Sequence, residues 1–127
     1  MKIALRILAV LALLGVAEAR ALTNDQLMGK WALSGKTCSY TYEFFFTSAV
    51  EKRVIMGADM TVWTGAGNFS VRENTLMITL DRTASDTPVV EIFLVESYDG
   101  SKLVLRGRAR YFNDIDSERV EFTRIPD

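Results

Sequence analysis

The stretch VVEIFLVESYDGSKLVLRGRARYF, residues 89–112, decides the fold. Apolar residues alternate with polar ones on both sides of Asp99-Gly100, a dipeptide that favours a two-residue hairpin turn. Setting Tyr98 opposite Ser101 puts Leu94 against Leu105, Ile92 against Gly107 and Val90 against Ala109 on one apolar face. Glu91 then meets Arg108, and Ser97 meets Lys102, on the other. A following hairpin pairs Tyr111 with Val120, Ala109 with Phe122 and Arg110 with Glu121. The agreement of hydrophobic pattern and charge pairing predicts an antiparallel meander with Val90, Ile92 and Leu94 facing inward. It also assigns the stripe Arg106, Arg108 and Arg110 to a solvated face with cross-strand partners, not to an anion site.

Working outward, the same period-2 pattern fills the chain from Gly29 onward. Strands are predicted at 29–34, 38–47, 50–57, 60–64, 68–73, 75–82, 89–98, 102–112 and 118–125. Turn residues separate them, among them Gly65-Ala66-Gly67, Asn74 and Asp86-Thr87-Pro88. Thr23-Asn-Asp-Gln26 forms a capping box before a single helical turn. No sustained 3.6-residue repeat follows. The reading is all-β: a small antiparallel up-and-down β-barrel of about eight strands, with one short N-terminal helical turn.

The first residues read differently. Lys2 and Arg6 precede an 11-residue apolar run, Ile7 to Ala17, and small residues follow at Ala17, Ala19 and Ala21. That order is a secretory signal peptide, and the run is too short to span a bilayer. Cleavage is expected after Ala19 or Ala21, which divides the chain into a signal peptide, 1–21, and a domain, 22–127. Taken after Ala21, it leaves 12 basic and 15 acidic residues, net −3, a poor balance for binding nucleic acid. The expected compartment is the periplasm or the exterior, with nothing spanning the membrane after processing.

Composition excludes most catalytic sets. The chain has no histidine and one cysteine, so it has no imidazole triad, no internal disulfide and no Cys-x-x-Cys site. Asp114-Ile-Asp116-Ser-Glu118 lacks the glycine and ligand count of a calcium loop. Asp81 and Asp86 have no second carboxylate placed for acid–base work. No enzyme activity, cofactor or metal is expected.

The candidate site is aromatic. In strand 38–47, Tyr40, Tyr42, Phe44 and Phe46 share one face, and Leu105 and Tyr111 are expected to meet the same interior, with Trp63 ambiguous in parity. Four rings in a row either fill a small barrel or line a pocket for an apolar ligand, anchored by the phenols of Tyr40 and Tyr42.

Gly29-Lys30-Trp31, after one helical turn, resembles the Gly-x-Trp start of small bacterial lipocalin-like (calycin) barrels, and Phe122-Thr123-Arg124 resembles the arginine that closes their last strand. The resemblance implies that Gly29, Trp31 and Arg124 build the closed end, with Arg124 across the Trp31 ring, and that a small hydrophobic ligand is bound inside. The chain is shorter than a typical lipocalin and lacks its C-terminal helix. A weaker resemblance joins Leu27-Met28-Gly29-Lys30-Trp31-Ala32-Leu33 and Cys38 to periplasmic inhibitors of secreted metalloproteases. It implies a protein-binding module acting through an extended N-terminal segment, although their disulfide cannot form here. A structural envelope protein without a ligand is the third reading.

Overall fold

A computed structural model describes residues 22–34, 38–57, 60–108 and 119–126. Eight antiparallel strands form a closed barrel: β1 (Gly29–Ser34), β2 (Cys38–Phe44), β3 (Ala49–Met56), β4 (Thr61–Arg72), β5 (Thr75–Thr83), β6 (Val89–Tyr98), β7 (Lys102–Arg108) and β8 (Arg119–Ile125). Each strand pairs with the next in sequence, and β8 closes onto β1 through Lys30–Ile125, Trp31–Arg124 and Ala32–Thr123. The all-β, up-and-down expectation therefore holds.

One helical turn, α1 (Asn24–Leu27), precedes β1 and carries the expected capping box. The Thr23 hydroxyl accepts from the Gln26 amide, and the Gln26 side chain accepts from the Thr23 amide. The turn drops Leu27, fully buried, into one end of the barrel. There the Trp31 indole N–H donates to the Leu27 carbonyl at 2.9 Å. The Arg124 guanidinium lies 4.2 Å from the Trp31 ring centroid and donates to the carbonyls of Met28, Gln26 and Gly100. A cation over an indole face, with its donors used by backbone carbonyls, explains how an inward arginine is tolerated. Gly29 is required beside it. Its φ is +114°, and a Cβ there would lie 2.8 Å from Arg124 Nη1. Gly29, Trp31 and Arg124 thus come together at the plugged end.

Three expectations about strands are corrected. Gly65-Ala66-Gly67 is not a turn. β4 runs through it unbroken, with a bulge between Ala66 and Gly67 against β5. Close approach explains the glycine, since a Cβ on Gly67 would sit 1.8 Å from the Thr79 carbonyl oxygen. The β7–β8 register is also different. Leu103 faces Phe122, Leu105 faces Val120 and Val104 faces Glu121, in place of the Ala109–Phe122 and Arg110–Glu121 pairs. The predicted extension of β7 through Tyr111 and Phe112 lies outside the described residues, as does the acidic stretch 114–118.

The third correction is the largest. In β6 the buried residues are Val89, Glu91, Phe93 and Val95, while Val90, Ile92 and Leu94 face outward. Val95 pairs with Leu105 and Phe93 with Gly107. After a bulge, Ser97 pairs with Val104 and Tyr98 with Leu103. A hairpin turn forms here, but one residue later than expected: Tyr98 pairs with Leu103 and not with Ser101, the Asp99 amide donates to the Lys102 carbonyl at 3.2 Å, and the Asp99 carboxylate accepts from the amides of Ser101 and Lys102. The strand that follows from it is inside out relative to the predicted register. Both of its faces are apolar, so hydrophobic alternation could not choose between them.

Candidate functional site

Inside the barrel, β2 supplies Tyr40, Tyr42 and Phe44, all buried. Tyr42 stacks near Phe44 with centroids 6.0 Å apart and meets Phe122 edge-on at 5.4 Å, and Phe44 meets Phe69 edge-on at 4.7 Å. These separations are those of rings packed on one another. Leu105 is buried in the same core, and Trp63 resolves its parity by facing inward across Gly65. Phe46 does not join them. β2 ends at Phe44, the chain turns, and Phe46 is 82% exposed. Tyr111 lies outside the described residues.

The interior also holds a polar cluster that the sequence reading missed. Lys52 on β3 and Glu91 on β6 are each 1% exposed and form an ion pair, with Lys52 Nζ donating to Glu91 Oε2. The Tyr42 hydroxyl donates to Glu91 Oε1 at 2.6 Å. Lys52 Nζ sits 5.1 Å from the Tyr42 ring centroid and 5.9 Å from that of Trp63. Among the described residues no buried side-chain nitrogen or oxygen lacks a hydrogen-bond partner. Signals existed in the sequence. Lys52 and Glu91 each sit at a position whose neighbours two residues away, Val50 and Val54, Val89 and Phe93, are apolar. The sequence reading places Glu91 on the solvated face because charge normally sits there, and gives Lys52 no face.

Burial, and next the Glu91 carboxylate, push the Tyr42 phenol well above its ordinary value of 10.0. Burial lowers the Lys52 ammonium from 10.5, while Glu91 acts in the opposite direction. Above pH 10 an unfolded Tyr42 loses its proton and the folded one keeps it, so the folded state binds more protons and stability falls as pH rises. Tyrosinate absorbance should show this directly. Tyr42→Phe is expected to leave the titration amplitude near pH 10 unchanged for as long as both proteins stay folded. A loss of amplitude there would mean that the phenol titrates normally.

On the outside, β6 displays a stripe. Val90, Ile92 and Leu94 are 58%, 53% and 50% exposed, and Met77, paired with Ile92 from β5, is 42% exposed. Leu94 belongs to one cross-strand row that reads Arg72, Thr75, Leu94, Arg106, Arg119 from β4 to β8. Glu96 holds two of those arginines, accepting from Arg106 Nε at 2.5 Å and Arg119 Nε at 2.6 Å. Both contacts hold the Glu96 carboxyl below the usual 4.5. The solvated, cross-strand-paired character expected of Arg106 is observed, with Glu96 as its partner.

A groove of about 950 Å³ also crosses the outer face of β1–β5. It carries Lys30, Glu43, Glu51, Arg53, Asp81 and Arg82. With Lys52 and Asp86, which also border it, four cations and four anions leave it without a dominant field to select a charged ligand. Among the described residues no group of histidine, cysteine, aspartate and glutamate side chains could hold a metal ion. No described helix is long and apolar enough to cross a membrane. No protein-family model matches the sequence, and neither a curated protein nor a solved structure matches the chain.

Proposed function

We propose that this is an exported, lipocalin-like barrel that acts as a protein-binding module, and that it docks its partner on the outer face of β5–β6. The observation that carries the reading is the contiguous stripe Val90, Ile92, Leu94 and Met77. Singly exposed aliphatic residues are ordinary on a surface, but a contiguous apolar patch rimmed by polar residues marks an interaction site. The rim here is basic, with three arginines in the Leu94 row against one glutamate. The partner that fits is a protein presenting an apolar strip bordered by carboxylates. A second copy packed on the same stripe would bring arginine rows together. A bilayer surface is a poorer match, since the stripe has no tryptophan or tyrosine to sit among headgroups.

The interior-ligand reading has less support. A small apolar ligand would have to displace rings that already pack on one another and a polar cluster whose buried groups are paired. Saturable binding of a hydrophobic fluorophore, weakened by Tyr42→Trp without loss of thermal stability, would restore it. A protease inhibitor working through a free N-terminal segment is also less favoured. Leu22 and Leu27 are buried, and Asn24 Oδ1 accepts from the Val71 amide.

A photo-crosslinking residue placed at Ile92, in cells that export the protein, should give a discrete protein adduct that is absent when the probe stands at Arg53 and lost when Leu94→Glu is added. Equal labelling from Arg53, an adduct only with itself, or Ile92-dependent flotation of the purified protein with anionic vesicles would overturn the reading.

A further inference from the structure

β6 has two candidate inner faces, and its two ends use different ones. Along most of the strand the odd-numbered residues are buried. At the hairpin end it is Tyr98 that reaches inward, its hydroxyl donating to the Gln26 carbonyl and its ring lying 6.0 Å from that of Trp31. The bulge between Val95 and Ser97 makes the change.

Removing that bulge lets the hairpin's own pairing, Tyr98–Leu103 and Ser97–Val104, run on through the strand. Glu96 then faces Leu105 and Leu94 faces Gly107. On the other side Leu94 faces Leu76, Ile92 faces Ile78 and Val90 faces Leu80. Those three β5 residues are buried. The shift therefore makes three inward aliphatic pairs from the residues that now form the outer stripe. A slip of one residue combined with a half-turn superimposes a strand on itself, so backbone bonding to both neighbours is re-formed. The displaced Val89 joins residues 84–88, which are exposed.

Three features select the observed register. Lys52 and Tyr42 hold Glu91 inside. Arg106 and Arg119 hold Glu96 outside. Gly107 leaves room for Phe93, whose ring carbon would lie 3.1 Å from a Cβ at that position. A buried ion pair contributes little net stability against an apolar replacement, and its best-attested use is to fix register.

We propose that β6 is a two-register strand in which the Glu91–Lys52 pair and the Glu96–Arg106–Arg119 cluster select the register. In the second register Val90, Ile92 and Leu94 turn inward, and Glu91, Phe93 and Val95 turn outward. Display of the stripe to a partner would follow the register; that consequence alone rests on the function proposed above.

Methyl nuclear Overhauser contacts on the isolated protein test this without a partner. In the wild type Ile92 and Leu94 should show no contact with Ile78 or Leu76. Glu96→Leu removes the outer lock from a half-buried surface position and suits position 96 to the interior. It should bring up a second set of contacts, Ile92 to Ile78 and Leu94 to Leu76, raising that population at least about tenfold. In Lys52→Met combined with Glu96→Leu, where the second register buries no carboxylate, the second set should become the major one. Wild-type contacts alone in Glu96→Leu overturn the proposal whatever the double variant does, and so does a folded double variant with wild-type contacts alone. Because the readout is intramolecular, failure of the crosslinking experiment leaves this result standing, and the reverse holds too.

Discussion

Trp31→Ala is expected to lower the free energy of unfolding by about 3–5 kcal/mol, the range for truncating a large buried aromatic side chain. The loss should come near the top of that range. The ring fills the plugged end, its N–H satisfies the Leu27 carbonyl, and it is the surface on which Arg124 rests. Arg124→Ala should cost less, about 1–2 kcal/mol, from the cation–π contact and stem packing. The two losses should not add. Removing the indole leaves the guanidinium without its apolar platform, and removing the guanidinium takes the donor from the carbonyls of Met28 and Gly100. Denaturant unfolding of both single variants and the double variant gives the coupling energy directly. An unmoved midpoint in Trp31→Ala would mean that this end does not hold the barrel together.

The second large effect is expected at the buried pair. Glu91→Ala leaves the Lys52 ammonium buried without its carboxylate, and breaking a pair of this kind costs about 3–5 kcal/mol. The variant should recover stability as pH rises. Without Glu91 the folded ammonium sheds its proton earlier than the unfolded one, so up to the ordinary value of 10.5 the unfolded state binds more protons and stability climbs. The paired replacement Lys52→Met with Glu91→Leu should return to within about 1–2 kcal/mol of the wild type, because volume-conserving apolar cores substitute well for buried ion pairs. Urea midpoints across pH for the three proteins decide the matter. A double variant as unstable as Glu91→Ala would show that the pair itself stabilises the fold.

These experiments bear on the parts of the molecule that sequence reading handled worst and best. The plugged end was anticipated through the resemblance that Gly29, Trp31 and Arg124 carry, and the residues themselves added cues. A glycine opens a strand, and an arginine shares a strand face with Val120 and Phe122. The ring face of β2 was legible from strict alternation, up to the point where the strand stops. Nothing in Phe44-Phe45-Phe46 marks that stop, since all three residues suit a strand equally. The Gly65-Ala66-Gly67 segment was misread for a general reason. Glycine signals both a turn and a place where another backbone or ring comes close, and only the packed neighbours, Thr79 and Trp63, distinguish the two.

β6 fails for a deeper reason. Period-2 reasoning presumes that one face is apolar and the other is not. Here Val90, Ile92 and Leu94 are as apolar as Val89, Phe93 and Val95, and the charges supplied the wrong tie-break. Glu91 opposite Arg108 is a reasonable solvated pair. What outweighs it is a lysine 39 residues away that no local pattern connects to it. The exposed stripe and the buried pair are thus one fact seen from two sides.

Closure of the sheet by β8 onto β1 limits how any other chain can attach. A row of unpaired amides and carbonyls along a lateral edge is what lets a foreign strand zip onto a sheet, in peptide capture and in fibril growth alike. In this ring every described strand is bonded on both flanks. Adhesion must therefore proceed through side chains on the barrel wall, where recognition depends on residue identity and not on generic main-chain pairing. The strand-by-strand route to polymers finds no open edge among the described strands from which to start.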